Sequence, residues 1–251
     1  MSRGLGDVYK RQGFIDDMEE IMKSIPEERQ TLLFSATMPP QIKKLTKKYL
    51  KDDAQHIAIA RKEMTGSTIT QNFFEVNGSQ RLEALCRLID LDNPSAGIIF
   101  CRTKKGVDDL AIALGSRGYM AEGLHGDLSQ TQRDRVMKKF RDGTADILIA
   151  TDVAARGIDI DNITHVINFD IPQDPESYVH RIGRTGRAGN TGVAMTFITP
   201  REFRQLKLIE RTTKTKITRR QLPTTANVIE RQREMIVSKM QSVLDLSLIH
   251  I

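Results

Sequence analysis

One short segment of the sequence contains the residues that are best suited to binding a ligand or to catalysis. From His180 to Arg187 it reads HRIGRTGR, in which arginine alternates with glycine. A guanidinium group matches two phosphate oxygens at once, and glycine allows a ligand to approach the backbone closely. Arg184 and Arg187 are three residues apart, so both could reach one polyphosphate. The segment predicts an anion-binding site. The alternative is a basic turn that contacts only solvent, which is what arginine and glycine alone would indicate.

A second segment follows a run of apolar residues that resembles a buried strand. From Ala150 it reads ATDVAARGIDI. In α/β proteins the loop after a parallel strand is where ligands bind. Gly157 permits a tight turn there, and the Asp159 carboxylate can accept hydrogen bonds from ribose hydroxyls. The first three residues alone would indicate no more than a helix-capping loop.

Three further segments carry weaker signals. LHGDLSQTQR begins at Leu124, and its Ser129 and Gln132 predict a capping box at a helix N-terminus, a place that favours anions. His125 in this segment has mainly the character of a structural hydrogen-bonding residue. IIFCRT ends a predicted strand with Arg102 and Thr103, and FSATMP, residues 34–39, is too short to be informative by itself.

Strands and helices must alternate to position these segments. Apolar runs predict strands at 73–76, 97–101, 120–124, 146–150, 165–169 and 192–198, and helical spacing predicts helices at 80–90, 105–115, 129–140 and 174–182. Right-handed crossovers between such strands produce a mainly parallel α/β sheet with helices on both faces. Ligands of such a sheet are expected at the carboxyl ends of its strands.

The flanking parts of the chain show less order. Helical spacing from Phe14 ends at Ile25-Pro26, Thr31–Phe34 predicts a buried strand, and Pro39 suits the start of another helix. Residues 51–71 have the mixed polar composition of a linker, and helical character returns from Asn227 to Leu244.

Composition sets the class of protein. The 251 residues carry a net charge of +6, which favours nucleic-acid partners but does not require them. No apolar run is long enough for a membrane span, and four acidic residues between positions 16 and 20 interrupt any signal-peptide core. We therefore expect a cytoplasmic protein without a membrane partner. Cys86 and Cys101 form no metal-binding pattern and are expected to be buried thiols.

In chain order the five segments are FSATMP, IIFCRT, LHGDLSQTQR, ATDVAARGIDI and HRIGRTGR. In that order they resemble the C-terminal half of DEAD-box ATP-dependent RNA helicases of bacterial type. The resemblance covers residues 13 to about 215. It implies an α/β RecA-like domain that uses ATP and Mg²⁺ and binds RNA through its backbone with little sequence preference.

The same resemblance assigns roles to individual residues. Arg184 and Arg187 would be arginine fingers that stabilise charge on the γ-phosphate, and Gly157 and Asp159 would contact the nucleotide with them. The residues expected to contact RNA are Arg102, Thr103, Gly126, Gln130, Arg133 and Thr151. The residues expected to couple hydrolysis to RNA are Ser35, Thr37, His180 and Arg181. Asp152 and Arg156 are expected to serve structure and contacts between domains.

The sequence also departs from the helicase pattern. It contains neither GxxxxGK[ST] nor Asp-Glu-Ala-Asp, so the phosphate loop and the Mg²⁺ ligands would lie in a missing N-terminal RecA-like domain. We expect negligible ATPase activity from this chain alone. The expected organisation is a non-family segment at 1–12, a remnant of the first RecA-like domain at 13–60, a linker at 61–71, the helicase C-terminal domain at 72–215, and a helical or flexible extension at 216–251.

Several alternatives stay open at this point. The extension after Pro223 could dimerise or bind another protein, and residues 1–12 and 246–251 are expected to be foreign or truncated. A non-catalytic RNA-binding module would bind RNA without nucleotide dependence. A fragment of a DNA translocase would bind DNA and RNA equally. The RNA target and the oligomeric state do not follow from the sequence.

Overall fold

A computed structural model describes residues 15–34, 38, 40–57, 68–155, 163–187 and 189–249 of the chain. It divides between residues 59 and 60 into two compact units. None of the helices in these described ranges is both long and apolar enough to cross a membrane.

The first unit contains two amphipathic helices, α1 (Ile15–Lys23) and α2 (Pro40–Tyr49). Lys48 Nζ on α2 lies 2.8 Å from Glu19 Oε1 on α1. The strand predicted at Thr31–Phe34 is wrong, because these residues have no regular structure. The Leu32 and Phe34 side chains are 68% and 90% exposed. An apolar run forms a buried strand only beside another strand, and the described residues of this unit include none.

The second unit is built on a seven-stranded sheet in the order β3-β4-β2-β5-β6-β1-β7. All its neighbouring strands are parallel. The strands are β1 (Ile69–Glu75), β2 (Gly97–Phe100), β3 (Ala121–Leu124), β4 (Ile147–Ala150), β5 (His165–Asn168), β6 (Gly192–Ile198) and β7 (Thr218–Arg219). The central strands are apolar on both faces, as a sheet covered by helices on both sides requires.

Helices cover both faces of this sheet. They are α3 (Arg81–Asp92), α4 (Lys104–Gly115), α5 (Gln130–Arg141), α6 (Pro175–Ile182), α7 (Phe203–Thr213) and α8 (Thr225–Ile249), with short 3₁₀ turns at Gly78–Gln80 and Pro200–Glu202. One apolar core contains side chains of α5, α6 and α7, and the other contains side chains of α3 and α4. The expected parallel α/β fold with helices on both faces is confirmed.

The structure extends the predicted elements in three places. β1 begins at Ile69, inside the segment interpreted as a linker, and the sequence interpretation did not identify α7 or β7. β7 pairs with β1, so the sheet continues beyond residue 215. α8 then packs on α3 and buries Val228.

Both cysteines are buried free thiols, as expected. Burial raises the pKa of the Cys101 thiol to about 12, and the nearby Asp170 charge adds to this effect. The Cys101 thiol is therefore protonated at neutral pH, which makes it a packing residue and not a nucleophile.

Candidate functional site

Three adjacent strands bring the predicted RNA-contacting residues to one edge of the sheet. Arg102 and Thr103 follow β2, Gly126 follows β3, and Thr151 follows β4. Because these strands are parallel neighbours, their carboxyl ends meet along one line, which we name the carboxyl edge. Residues separated by about fifty positions in the sequence thus form one surface.

Arg102 is held at the carboxyl edge by acidic partners. Its backbone N–H donates to Asp170 Oδ2 at 2.9 Å, and its Nη2 lies 3.4 Å from Glu202 Oε1. The Arg102 side chain is 50% exposed, so the guanidinium remains accessible to a ligand. Thr103 caps α4, since its Oγ1 accepts a hydrogen bond from Gly106 N at 3.0 Å.

A partly buried ion-pair network with Arg81 holds the two acidic partners of Arg102. Arg81 Nη1 donates to Asp170 Oδ1 at 2.8 Å, and Arg81 Nη2 donates to Glu202 Oε2 at 2.7 Å. Burial opposes ionisation of Glu202, but hydrogen bonds from Thr199 and the charges of Arg81 and Arg102 lower its pKa overall. The sequence analysis did not identify this network, although Asp170 follows β5 in the same way that Arg102 follows the neighbouring strand β2.

Lys104, the first residue of α4, adds a second cation to the carboxyl edge and lies against the loop after β3. A Cβ atom placed on Gly126 would lie 3.7 Å from Cε of Lys104, so this lysine covers the glycine. Lys104 Nζ pairs with Asp127, and their hydrogen bond lowers the pKa of that carboxyl group. Lys104 was not among the predicted site residues. His125 has the structural role expected, since its Nε2 lies 2.9 Å from Asp108 Oδ1.

Helix α5 contributes the remaining predicted RNA contacts. The predicted capping box is present: Ser129 N donates to Gln132 Oε1 at 2.9 Å, and Gln132 N donates to Ser129 Oγ at 3.3 Å. Gln130 is exposed in the first turn, and its Nε2 donates to Asp134 Oδ1 at 2.8 Å. Arg133 donates from Nη2 to the carbonyl of Ala154, which connects α5 to the loop after β4.

Arg181 joins three parts of the domain through one buried guanidinium group. Its Nε and Nη2 donate to the two carboxylate oxygens of Asp152 at 2.6 and 2.8 Å. Its Nη1 donates to Asn168 Oδ1 at 3.0 Å and to Asp170 O at 2.7 Å. The Arg181 side chain is only 3% exposed. Arg181 therefore links α6 to the segments that follow β4 and β5, whereas its neighbour His180 is exposed.

The turn that carries Arg184 and Arg187 lies at the opposite edge of the sheet. Thr185 Oγ1 donates to Thr164 O at 3.1 Å, and Thr68 Oγ1 donates to Gly186 O at 3.2 Å. Thr164 and Thr68 directly precede β5 and β1, so this is the amino edge. The expectation that all ligand-binding segments lie at the carboxyl ends is therefore wrong for these arginines.

The length of α6 explains this placement. Its eight residues span about 12 Å, close to the roughly 13 Å of a four-residue strand. The helix begins beyond the carboxyl end of β5 and therefore returns the chain to the amino edge. Both arginines are half-buried there, and Arg187 Nε donates to Gly183 O at 2.9 Å.

Other predicted site residues lie outside the described ranges. These are Ser35, Thr37, Gly157 and Asp159, together with Arg156. The described chain stops at Ala155, four residues after Thr151 at the carboxyl edge, and is described again from Ile163, which precedes β5 at the amino edge. Within the described ranges, no group of three or more His, Cys, Asp or Glu residues could hold a metal ion.

Comparisons of the sequence with known proteins agree on one family. The model of the helicase conserved C-terminal domain matches residues 80–189. The DEAD-box ATP-dependent RNA helicases CshA of Bacillus subtilis and Geobacillus kaustophilus are 51% and 53% identical to this chain over 95% of its length. The chain covers 48% and 51% of these two proteins. It thus spans about half the length of the curated relatives.

Solved structures give the same result. The Saccharomyces cerevisiae Dbp5 structure with RNA and ADP BeF3 superimposes with a TM-score of 0.79 at 34% identity, and the match covers 91% of this chain and 59% of Dbp5. A structure of the C-terminal domain of the DEAD-box protein Dbp5 is 37% identical with a TM-score of 0.59. That match covers 68% of this chain and 98% of the domain.

Proposed function

Because the chain belongs to the DEAD-box family, we propose that it is the C-terminal half of an ATP-dependent RNA helicase that unwinds or remodels RNA. The observation that carries this proposal is the division of its functional side chains between two edges of one sheet. Arg102 and Thr151 lie at the carboxyl edge, Arg184 and Arg187 lie at the amino edge, and the buried Arg181 lies on the helix between them.

The turn that carries Arg184 and Arg187, which we name the arginine turn, fits a polyphosphate. Two guanidinium groups on one rigid turn can offer planar pairs of donors to phosphate oxygens. ATP hydrolysis would supply the free energy for the RNA rearrangement. Arg184 and Arg187 would stabilise the charge that develops on the transferred phosphoryl group, a contribution of about 10³-fold or more in rate. We further propose that Gly157 and Asp159 contact the nucleotide, with Asp159 accepting hydrogen bonds from the ribose.

The ligands of Mg²⁺ belong to another part of the helicase in this proposal. An N-terminal RecA-like domain with a phosphate loop and a DEAD sequence would provide them. The arginine turn then acts on a phosphate group that the other domain positions. We therefore expect the 251-residue chain alone to have negligible ATPase activity.

The carboxyl edge would bind the RNA backbone. Arg102, Gln130 and Arg133 would provide hydrogen-bond donors there. Thr103, the N-cap of α4, and Gly126, in the turn after β3, would leave backbone amides near a phosphate path. Lys104, which lies over Gly126, adds a positive charge to the same path. Backbone contacts of this kind give little sequence preference.

Coupling between the two edges would run through the α6 segment. Arg181 holds Asp152, which directly follows Thr151 at the carboxyl edge, and the same helix leads into the arginine turn. A change at either edge would therefore displace the other through one guanidinium group. We propose that His180, Ser35 and Thr37 act in the same coupling.

The test is RNA-stimulated ATP hydrolysis by the chain alone and after fusion to the N-terminal half of a similar helicase. We expect no activity alone and activity after fusion, which Arg184→Ala and Arg187→Ala each reduce by about 10³-fold. Arg87→Ala is the matched control, because Arg87 lies in the middle of α3 and pairs with Glu83. Activity of the chain alone that survives both arginine changes would contradict the proposal.

The remaining expectations concern location and partners. We propose a cytoplasmic location. We also propose the order of segments expected from the sequence, with the sheet of the helicase C-terminal domain extending from Ile69 to Arg219. A non-catalytic RNA-binding module is the competing hypothesis, and a fusion protein that binds RNA without hydrolysing ATP would favour it. Equal affinity for DNA and RNA would favour a DNA translocase.

A further inference from the structure

One stretch of the sequence carries as much net positive charge as the whole chain. Residues 203–220 contain seven lysines and arginines and one glutamate, a net charge of +6. Subtracting them from the chain's 38 basic and 32 acidic residues leaves 31 of each sign. The rest of the chain is therefore neutral overall, although it contains another basic run at residues 43–51.

The fold displays this charge on one surface. All seven basic side chains are exposed, and the apolar residues Leu206, Ile209 and Ile217 of the same stretch face the core. Glu210 is largely buried, and its carboxylate is occupied by Lys207 Nζ at 2.7 Å and by Ile217 N at 2.9 Å. The only acidic residue of the stretch therefore binds groups within the same stretch.

An open groove of about 740 Å³ lies between α7 and β7. Five basic residues line it: Lys207, Arg211, Lys214, Lys216 and Arg219. Arg219 pairs with Glu75 at 2.7 Å. Among the described residues Arg211, Lys214 and Lys216 have no ion-pair partner, so their charges are available to an external anion.

One end of the groove is continuous with the carboxyl edge. Glu202, which accepts a hydrogen bond from Arg102, is followed directly by Phe203, the first residue of α7. The Phe203 ring is 43% exposed and packs edge-on against Phe73, a groove residue, at 6.4 Å. Lys207 Nζ lies 5.3 Å from the centre of the same ring. An exposed aromatic ring beside cations is the combination that binds unpaired bases and their phosphates.

We propose that this groove is a second RNA-binding surface, which holds the single-stranded segment that continues past Arg102. This inference rests on the proposed function, since it extends the RNA path of the carboxyl edge. Phe203 would stack on a base where the strand leaves that edge. Arg211, Lys214 and Lys216 would then neutralise the phosphates that follow.

The test compares RNA strands of graded length, from about 6 to 24 uridines, in binding to the full chain by fluorescence anisotropy. The combined variant Arg211→Gln, Lys214→Gln, Lys216→Gln should weaken binding of the long strands about tenfold and leave the short strands unchanged. Loss of three phosphate contacts should also change the slope of the logarithm of the binding constant against the logarithm of salt concentration. For the long strands this slope should become less steep by about two. Phe203→Ala should weaken long-strand binding about fivefold or more.

The matched control removes three exposed charges from α5 by Arg135→Gln, Lys138→Gln and Arg141→Gln. This control should bind all strands like the unaltered chain. Equal weakening by both triple variants would overturn the inference. So would a groove variant that binds long strands like the unaltered chain, and that result would point to an acidic protein as the partner of the groove. An unaltered chain that binds no RNA of any length would contradict the proposed function, and this inference with it.

Discussion

At the scale of single residues, Arg181 is a buried charge that several partners hold in place. Its guanidinium satisfies the Asp152 carboxylate, the Asn168 side chain and a backbone carbonyl at once. A buried ion pair adds little net stability compared with apolar packing, but removal of one partner is costly because the other stays behind. The residue is thus fixed by the partners that surround it.

We predict that Arg181→Ala lowers the free energy of unfolding by about 2–4 kcal/mol, since Asn168 and the Asp170 carbonyl would lose their buried donor. Urea denaturation of the chain measures this. Arg87→Ala, which breaks an exposed pair with Glu83 on one helix, should cost only about 0.3–0.5 kcal/mol. Similar losses for the two variants would show that the Asp152 pair is weak.

Gly186 fixes the arginine turn through the lack of a side chain. Its φ of +67° is left-handed, and a Cβ atom would lie 2.6 Å from Ile69 Cγ1. We predict that Gly186→Ala costs at least about 2 kcal/mol in unfolding free energy, because backbone strain and overpacking add. Gly189→Ala is the control, since Gly189 has a φ of +84° but open space around it, so only the strain of about 1 kcal/mol applies. If Gly189→Ala lowers the unfolding free energy as much as Gly186→Ala does, the contact of a Cβ atom at position 186 with Ile69 contributes nothing.

At the scale of elements, Glu202 ties the start of α7 to α3 and to the carboxyl edge. Its folded-state pKa is lowered, so its contribution to stability is present above the pKa of the unfolded chain and is lost as the pH falls through the folded value. We predict that Glu202→Gln destabilises the domain at pH 7 and that this difference shrinks as the pH falls below about 4.5.

Unfolding measured by circular dichroism between pH 7 and pH 3 tests this prediction. Glu234→Gln controls for the loss of one negative charge, because the exposed Glu234 pairs with Arg231 on the same helix. A Glu202→Gln penalty that stays constant down to pH 3 would mean that the carboxylate charge is irrelevant to the network.

Helix α8 is docked at its beginning and exposed further along. Val228 is 8% exposed near the contact with α3, whereas Val237 is 62% exposed. We predict that Val228→Ala costs about 1–2 kcal/mol in urea unfolding and that Val237→Ala has little effect. The two changes are chemically identical, so equal effects would show that the first turns of α8 do not stabilise the domain.

The elements also show what sequence patterns can predict. The strands Gly97–Phe100 and Ile147–Ala150 were predictable because residues buried on both faces form continuous apolar runs. The beginning of β1 was not predictable, because Gln71 and Asn72 are polar residues that the fold buries. The Gln71 side chain accepts a hydrogen bond from the Tyr178 hydroxyl at 2.9 Å. Thr31–Phe34 has the apolar pattern of a strand but no strand beside it in the described part of its unit.

At the scale of the whole domain, the candidate site was predictable by residue type but not fully by position. Arg102 and Thr151 follow predicted parallel strands, so their shared edge followed from the topology. The opposite placement of Arg184 depends on the length of α6 relative to a strand, which is a property of the assembled fold. The acidic support of Arg102 depends on contacts between residues 81, 170 and 202, which no local pattern reveals.

The order of the strands has a consequence for synthesis of the protein on the ribosome. β1 is the first strand of the sheet to be made, but it lies between the last two, and its Ile69 pairs with Gly192. The ribosome adds about 5–20 residues per second, so roughly 6–25 seconds separate these two residues. During that interval Phe73 and Phe74 have no neighbouring strand, and the nascent segment exposes an apolar edge that other chains could join. The domain can close only once β6 has emerged, so the protection of this edge depends on the speed of synthesis.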